Sequence, residues 1–320
     1  MSQDAAITRR ATLIVAATAA WWSPLRRAQA ADAPKELRIG FQKGSVNLVF
    51  LKLRGTLEKR LPSTRVSWVE FPAGPQLLEA LAVGSVDFGA TGDSPPVFAQ
   101  AAGKDLVYVG AEPPKPDASA ILVKPDSPIR TLTDLKGRKL AFQRGSSAHF
   151  LTVRALEKAG IAWSDFTPVA LAPAEARAAF ERGSVDAWAI WDPYFAAAEI
   201  AGNTRILVTS RGLTNNNTVY LASPAFASQP AVLKALFETI TEAEAWSRTN
   251  RKEAAQQVAD FTGLNLSTVH RFLERRPAAP VGPITAQIVA EQQRVADAFH
   301  KLQLIPKPIR VSDIVLKSPA

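Results

Sequence analysis

A short string of glycine, serine and a basic residue occurs twice, and its composition is typical of an anion-binding turn. Residues 41–45 read Phe-Gln-Lys-Gly-Ser, and residues 142–146 read Phe-Gln-Arg-Gly-Ser about a hundred residues later. Glycine lets the backbone approach a ligand closely, and the start of a following helix offers unpaired amides and a partial positive charge. Gly44, Ser45 and Ser146 are therefore candidate anion-binding residues, with Lys43 and Arg144 adding positive charge.

Two further segments carry polar side chains where a strand is predicted to end. One is Thr91-Gly92-Asp93-Ser94, and the other is Trp191-Asp192-Pro193-Tyr194. Hydroxyl groups and the Gly92 amide can donate to anion oxygens, and Trp191 can form an apolar wall. An aspartate close to proline is also a common helix cap, so capping roles for Asp93 and Asp192 stay open.

The sequence offers little for catalysis or for a metal. It has no cysteine, which excludes disulfides, thiolate catalysis and cysteine zinc sites. Residues 41–45 and 142–146 are called the first and second serine turns. His149 follows the second serine turn, where a capping role and a ligand role both stay open. An acid–base pair of Asp93 and Asp192 would lack a nucleophile or metal cluster. We therefore expect no enzyme, no metal and no cofactor.

The elements around these residues repeat as a unit. Gly84-Ser85-Val86-Asp87 recurs as Gly183-Ser184-Val185-Asp186, again about a hundred residues later. In each unit, strands alternate with helices through short turns, which predicts parallel sheets with helices on both faces. Ligands of such sheets bind beyond the carboxyl ends of the strands. The chain is thus predicted to be an α/β protein with two related lobes.

After residue 220 the alternation stops and helical patterns follow. Four helices are predicted, over residues 230–248, 251–262, 266–274 and 285–302. We expect this tail to pack on the first lobe, which makes that lobe discontinuous. The predicted limits are 31–121 plus 220–320 for the first lobe and 122–219 for the second.

The N-terminus has the pattern of a secretory signal peptide. Arg9 and Arg10 precede 12 uncharged residues, and Ala28-Gln29-Ala30 forms a cleavage site. This apolar run is too short to span a membrane. Residues 1–30 are thus predicted to be removed on export to the periplasm, by the twin-arginine or the general secretory route. They account for +3 of the formal charge of +9, so +6 remains. The sequence has no block of like charges of the kind that would indicate a nucleic-acid partner.

Several longer strings resemble a known family. Residues 85–103 (SVDFGATGDSPPVFAQAAG), residues 110–116 (GAEPPKP) and residues 180–194 (FERGSVDAWAIWDPY) are similar to the aliphatic sulfonate-binding proteins of ABC importers. The resemblance extends from about residue 37 to residue 223. It implies a type II periplasmic-binding fold, in which two Rossmann-like lobes joined by two hinge strands close on a ligand. The hinge strands are expected near residues 120–123 and 217–221.

The resemblance also implies the ligand site and the partners. The ligand-binding positions would be Gln42, Gly44, Ser45, Gly92, Asp93, Ser94, Ser146, Ser147 and His149, with Trp191 and Asp192 on the opposite wall. The expected ligand is an alkanesulfonate, delivered by a monomeric binding protein to an ABC permease and its ATPase. Taurine, nitrate or a thiamine-precursor pyrimidine are alternatives within the same fold. An enzyme acting on a sulfonated or phosphorylated metabolite and a sensory module are alternatives of other classes.

Overall fold

The computed structural model describes residues 33–277 and 280–317, which form two α/β lobes. The predicted signal peptide lies outside the described residues. The strands are β1 Glu36–Phe41, β2 Arg65–Glu70, β3 Phe88–Gly92, β4 Val107–Ala111, β5 Ser119–Val123, β6 Lys139–Phe142, β7 Thr167–Ala170, β8 Ala187–Trp191, β9 Arg205–Thr209 and β10 Thr218–Ala222. The helices are α1 Val46–Arg54, α2 Thr56–Arg60, α3 Gly74–Ala82, α4 Pro95–Ala101, α5 Ser147–Ala159, α6 Pro173–Glu181, α7 Tyr194–Ile200, α8 Pro224–Ala227, α9 Pro230–Thr249, α10 Arg251–Thr262, α11 Leu266–Glu274 and α12 Ala286–Lys301.

Each lobe is built on a five-stranded sheet, and the two sheets have equivalent strand orders. The first is β2-β1-β3-β10-β4 and the second is β7-β6-β8-β5-β9. In each sheet three strands run parallel, as the alternating pattern predicts. The duplicated turns join β1 to α1 and β6 to α5, so both lie at the carboxyl end of a parallel strand. The predicted two-lobed α/β fold is confirmed.

The sheets are mixed, whereas the alternating pattern predicted only parallel strands. β10 runs antiparallel to β3 and β4, and β5 runs antiparallel to β8 and β9. Each of these strands follows a crossover from the other lobe and therefore enters its sheet from the opposite direction.

The crossovers lie a few residues earlier than predicted. Residues 112–118 and 210–217 connect the sheets, and β5 belongs wholly to the second sheet, beginning with the pairing of Ser119 and Trp191. The predicted lobe limit at residue 121 therefore falls inside β5, because the run Ser119–Val123 is a buried strand of the second lobe rather than a connector. Likewise, residues 218–221 are already part of β10.

The helical tail packs mainly on the first lobe but also touches the second. α9 and α10 pack on α1, whereas α11 contacts α7 and α12 contacts α5. Phe299 of α12 joins one hydrophobic cluster with Phe150 and Val153 of α5, so this core continues from one lobe into the other. The tail therefore contacts both lobes and links them.

Candidate functional site

The cleft between the lobes collects residues from the ends of four strands and from both crossovers. Eight of the eleven predicted ligand-binding residues line it. The first lobe contributes Gln42, Gly44, Ser45 and Gly92, and the second lobe contributes Ser146, Ser147, Trp191 and Asp192. Gly74 and Pro95 also line the cleft, so the N-termini of α1, α3, α4 and α5 all lie at its wall.

In the first serine turn, the hydroxyl proton of Ser45 is available to a ligand. The Ser45 Oγ accepts a hydrogen bond from the Gln42 amide at 3.3 Å and does not cap α1. Accepting that bond leaves the O–H group free to donate into the cleft. The Gln42 side chain donates to the Ala90 carbonyl at 3.0 Å, which fixes the turn against β3.

In the second serine turn, the hydroxyl is already used. The Ser146 Oγ donates to the Gln143 carbonyl at 2.7 Å, so its proton is directed into the turn. Gly145 has a φ of 73°, which a residue with a side chain rarely adopts. The amides at the start of α5, rather than the Ser146 hydroxyl, are what this turn can offer to an anion.

Contacts across the cleft show that the lobes are closed. A side-chain carbon added to Gly44 would lie 2.9 Å from the carbonyl oxygen of Asp192 in the other lobe. A carbon added to Gly92 would lie 2.0 Å from the Ser147 Oγ, also across the cleft. Glycine at these two positions therefore permits the lobes to approach.

Three predicted ligand residues lie behind the cleft wall instead of in it. Ser94 is fully buried, and its hydroxyl donates to the Asp93 carboxylate at 2.9 Å. Asp93 also accepts from the Ser147 hydroxyl, and burial raises the pKa of its carboxyl group. Asp93 and Ser94 thus support the turn after β3 and help to hold the closed lobes together.

His149, the third of these residues, is a structural histidine. Its Nδ1 accepts a hydrogen bond from the Gly145 amide at 3.2 Å, and its ring stacks on Phe142 with 4.7 Å between centroids. Burial, aided by the positive charge of Arg144, lowers the pKa of His149 to about 3. The neutral imidazole therefore holds the second serine turn in place and lies behind the cleft wall, so it can act on a ligand only through that turn.

The cationic groups of the cleft are Lys115 and Arg276, which sequence reasoning did not select. Both line the cleft, and both contact the buried carboxylate of Glu112, at 2.7 Å and 3.3 Å. The basic residues of the serine turns are elsewhere: the Lys43 ammonium donates to the Thr262 carbonyl, and Arg144 is exposed. The positive charge thus comes from a crossover and from the tail.

Two more residues missed by sequence reasoning lie beside Lys115. Its ammonium group donates to the Thr218 hydroxyl at 2.5 Å, and its carbonyl accepts from the Asn216 side chain at 3.1 Å. Asn216 has a φ of 49°, the left-handed region, which asparagine tolerates better than most residues. The second crossover therefore clamps the first one next to the cleft.

Two aromatic side chains line the cleft. Trp191, at the end of β8, and Phe272, on α11, both line it. Trp191 was predicted here, whereas its neighbour Trp188 points the other way and packs in the core against Phe180. The cleft thus combines two cations with two aromatic side chains.

Asp192 is held by an ion-pair network across the lobes. Its Oδ1 accepts from Arg275 at 2.9 Å and from the Ala196 amide at 3.0 Å. Burial raises the pKa of Asp192 to about 7, although Arg275 opposes this shift. Arg275 also pairs with Glu199, which in turn binds Arg271 at 2.7 Å. Asp192 therefore joins α7 to the tail helix α11 beside the cleft.

Within residues 33–277 and 280–317, no group of three histidine, cysteine or acidic side chains is placed to hold a metal ion. In the same described part of the chain, no helix has both the length and the apolar character needed to cross a membrane.

Comparison with known proteins places the chain in a family. Residues 66–254 match the NMT1/THI5-like family. An aliphatic sulfonates-binding protein of Escherichia coli K12 is 49% identical over 283 residues, which cover 88% of this chain and 89% of that protein. This chain is a member of the aliphatic sulfonate-binding protein family.

Solved structures of the family agree with the fold described above. The periplasmic aliphatic sulphonate-binding protein SsuA of E. coli has a TM-score of 0.83 and 48% identity, covering 90% of this chain and 94% of that one. The alkanesulfonate-binding protein SsuA of Xanthomonas axonopodis pv. citri, bound to MOPS, has a TM-score of 0.87 and 46% identity, covering 90% and 100%. These relatives are binding proteins, which supports a binding rather than a catalytic role for this family member.

Proposed function

We propose that this chain is the periplasmic solute-binding component of an ABC importer and captures aliphatic sulfonates between its lobes. One cleft brings together two cations, Lys115 and Arg276, and two aromatic side chains, Trp191 and Phe272, and this combination carries the proposal. An amphiphilic anion matches this arrangement.

The chemistry of a sulfonate suits the donors present. The group carries a permanent negative charge and three acceptor oxygens. The Ser45 hydroxyl, the cations and the helix N-termini at the cleft wall can donate to these oxygens. The alkyl chain would then lie against Trp191. No general base or nucleophile is needed for capture.

Closure would couple the two lobes to the ligand. The contacts of Gly44 with Asp192 and of Gly92 with Ser147 exist only when the lobes meet. A ligand that touches both lobes has a higher affinity for the closed state and shifts the population toward it. The closed state is then the one offered to the transporter.

The location and partners follow from the same proposal. The relatives include periplasmic binding proteins. With residues 1–30 as an export signal, the remaining chain would act in the periplasm as a monomer, and its partners would be an ABC permease and its ATPase. The twin-arginine and general secretory routes both remain compatible with these residues.

Taurine, nitrate and a thiamine-precursor pyrimidine are the alternatives within this fold. Nitrate has no apolar part for Trp191 and Phe272. A pyrimidine would favour stacking on both faces and has no need of two cations. Taurine carries an ammonium group that would enter a cleft already lined by two cations. The geometry therefore favours an unsubstituted alkyl chain.

Calorimetric titration of residues 31–320 with sulfonates of increasing chain length, taurine and nitrate tests the proposal. We expect affinity to increase with chain length because more apolar surface is buried. Trp191→Ala should flatten this increase, whereas Trp191→Phe should retain most of it. Binding of nitrate but of no sulfonate would overturn the proposed substrate.

A further inference from the structure

Glu112 lies directly behind the cations of the cleft, and its whole carboxylate is engaged by protein donors. Oε1 accepts from the Asn47 side chain at 3.2 Å and from the Tyr220 hydroxyl at 3.0 Å. Oε2 accepts from Lys115 at 2.7 Å and from Arg276 at 3.3 Å. Glu112 is 4% exposed and does not line the cleft, so it acts on a ligand only through these neighbours.

The carboxylate is ionised at neutral pH. Burial disfavours its charge, but Arg276 and Lys115 outweigh burial and lower the pKa of Glu112 to about 2. The group thus carries a full negative charge beneath two positive ones. Removing either cation would leave this buried charge poorly compensated.

The ion pairs behind the cleft set the charge that a ligand meets. Lys115 and Arg276 contribute two positive charges, and Glu112 cancels one of them. Asp192 is paired with Arg275 at 2.9 Å, and Asp93 acts on Lys115 at longer range; burial raises the pKa of both carboxyl groups, which disfavours their negative charge. Glu244 acts on Arg276 at longer range, and among the described residues the two form no ion pair within 4.0 Å. Within the contacting triad of Lys115, Arg276 and Glu112, one positive charge remains for the ligand.

We propose that Glu112 is a specificity-determining residue that makes the cleft select anions of a single charge over dianions such as sulfate or a phosphate monoester. This inference rests on the proposed function and adds a reason for the choice of ligand. A monoanion neutralises the charge that remains on this triad. A dianion enclosed between closed lobes would leave one buried negative charge without a partner, which is strongly unfavourable.

Three probes of nearly the same tetrahedral shape separate charge from shape. Dimethyl sulfone, methanesulfonate and sulfate carry charges of 0, −1 and −2 around one sulfur atom. The natural protein should prefer methanesulfonate to both others. In Glu112→Gln the net charge of the site rises by one, and the preference for methanesulfonate over sulfate should fall at least tenfold. Glu112→Asp, which keeps the charge, should retain the preference.

A second pair of variants serves if Glu112→Gln does not fold, as judged by circular dichroism. Lys115→Gln lowers the net charge to zero, so the preference for methanesulfonate over dimethyl sulfone should fall at least tenfold. Adding Glu112→Gln to Lys115→Gln returns the net charge to one, and the preference for the monoanion should return. Affinities can be measured by calorimetry, with competition against a longer alkanesulfonate where binding is weak.

The outcomes distinguish this inference from the function on which it rests. If the natural protein binds no sulfonate, the proposed function fails. If it binds sulfonates but Glu112→Gln leaves the ratio of methanesulfonate to sulfate affinity unchanged, the role of Glu112 is overturned. Failure of the double variant to recover the monoanion preference of Lys115→Gln would overturn it as well.

Discussion

The two serine turns have nearly the same sequence but make different contacts and hydrogen bonds. In the first, Gly44 lies against the other lobe and the Ser45 hydroxyl is free to donate. In the second, Gly145 has a left-handed backbone, and the Ser146 hydroxyl donates its proton to a carbonyl within the turn. Duplication preserved the geometry of strand, turn and helix. The divergence lies in what surrounds each turn, so a repeated motif does not imply a repeated contact with the ligand.

Replacing the glycine of each turn with alanine should give the largest difference in ligand affinity between the two turns. Gly44→Ala places a carbon 2.9 Å from the Asp192 carbonyl, so closure must be strained. We expect the dissociation constant for an alkanesulfonate to rise at least thirtyfold, or about 2 kcal/mol. Calorimetry on the exported chain measures this change.

Gly145→Ala is the matched control for that experiment. A carbon added there would lie 3.5 Å from Phe98 and 3.7 Å from Pro75 of the first lobe, which are ordinary contact distances. Its strain therefore comes from the φ of 73°, which is unfavourable for alanine whether the lobes are open or closed. We expect a loss of about 1 kcal/mol in the free energy of unfolding, with affinity nearly unchanged. A similar loss of affinity in both variants would remove the distinction between the turns.

His149 has no counterpart in the first turn, where Leu48 occupies the equivalent position. Burial keeps its pKa at about 3, whereas the unfolded chain protonates near 6.5. Stability that depends on the neutral ring is therefore lost as the pH falls below 6.5. Between pH 7 and pH 5.5 this loss amounts to about 1.3 kcal/mol.

His149→Asn keeps an acceptor for the Gly145 amide and removes the titration. Unfolding by urea at both pH values should show a smaller dependence on pH in the variant, by that amount. All other titrating groups remain, so their contributions cancel in the difference. An identical pH dependence in the two proteins would contradict the structural role of the neutral ring.

The smallest expected contrast is between the two hydroxyl groups. Ser45→Ala removes a donor that is free to face the ligand, and affinity should fall by about 1 kcal/mol. Ser146→Ala removes a hydroxyl that donates to Gln143, so its effect on affinity should be less than half as large. Titration with one alkanesulfonate compares them. A larger loss in Ser146→Ala would reverse the assignment of donors.

The sequence predicted what depends on local pattern. The repeated turns, the alternating elements and the four tail helices were visible because each is encoded by residues close together in the sequence. Trp191 was placed correctly at the cleft for the same reason, since it ends a recognisable strand. The antiparallel direction of β5 and β10 was not predicted, because it depends on the chain crossing between the lobes.

The remaining features depend on distant residues. Arg276 meets Glu112 across 164 positions of sequence, and no periodicity links them. The burial of His149 could not be predicted because its aromatic neighbours Phe98 and Phe299 come from the other lobe and from the tail. Two signals were available: Lys115 stands in the Glu-Pro-Pro-Lys-Pro segment, and Arg275-Arg276 is a basic pair at the end of a predicted helix.

The position of β10 bears on the order in which the chain can assemble. The second lobe's sheet is made from one continuous stretch, residues 119–209, and can form as soon as that stretch has been synthesised. The first sheet must wait, because β10 inserts between β3 and β4 only after the second lobe has been made. Until then β3 and β4 have open edges, which are prone to aberrant pairing. The lobe that begins the chain is therefore the last to be completed.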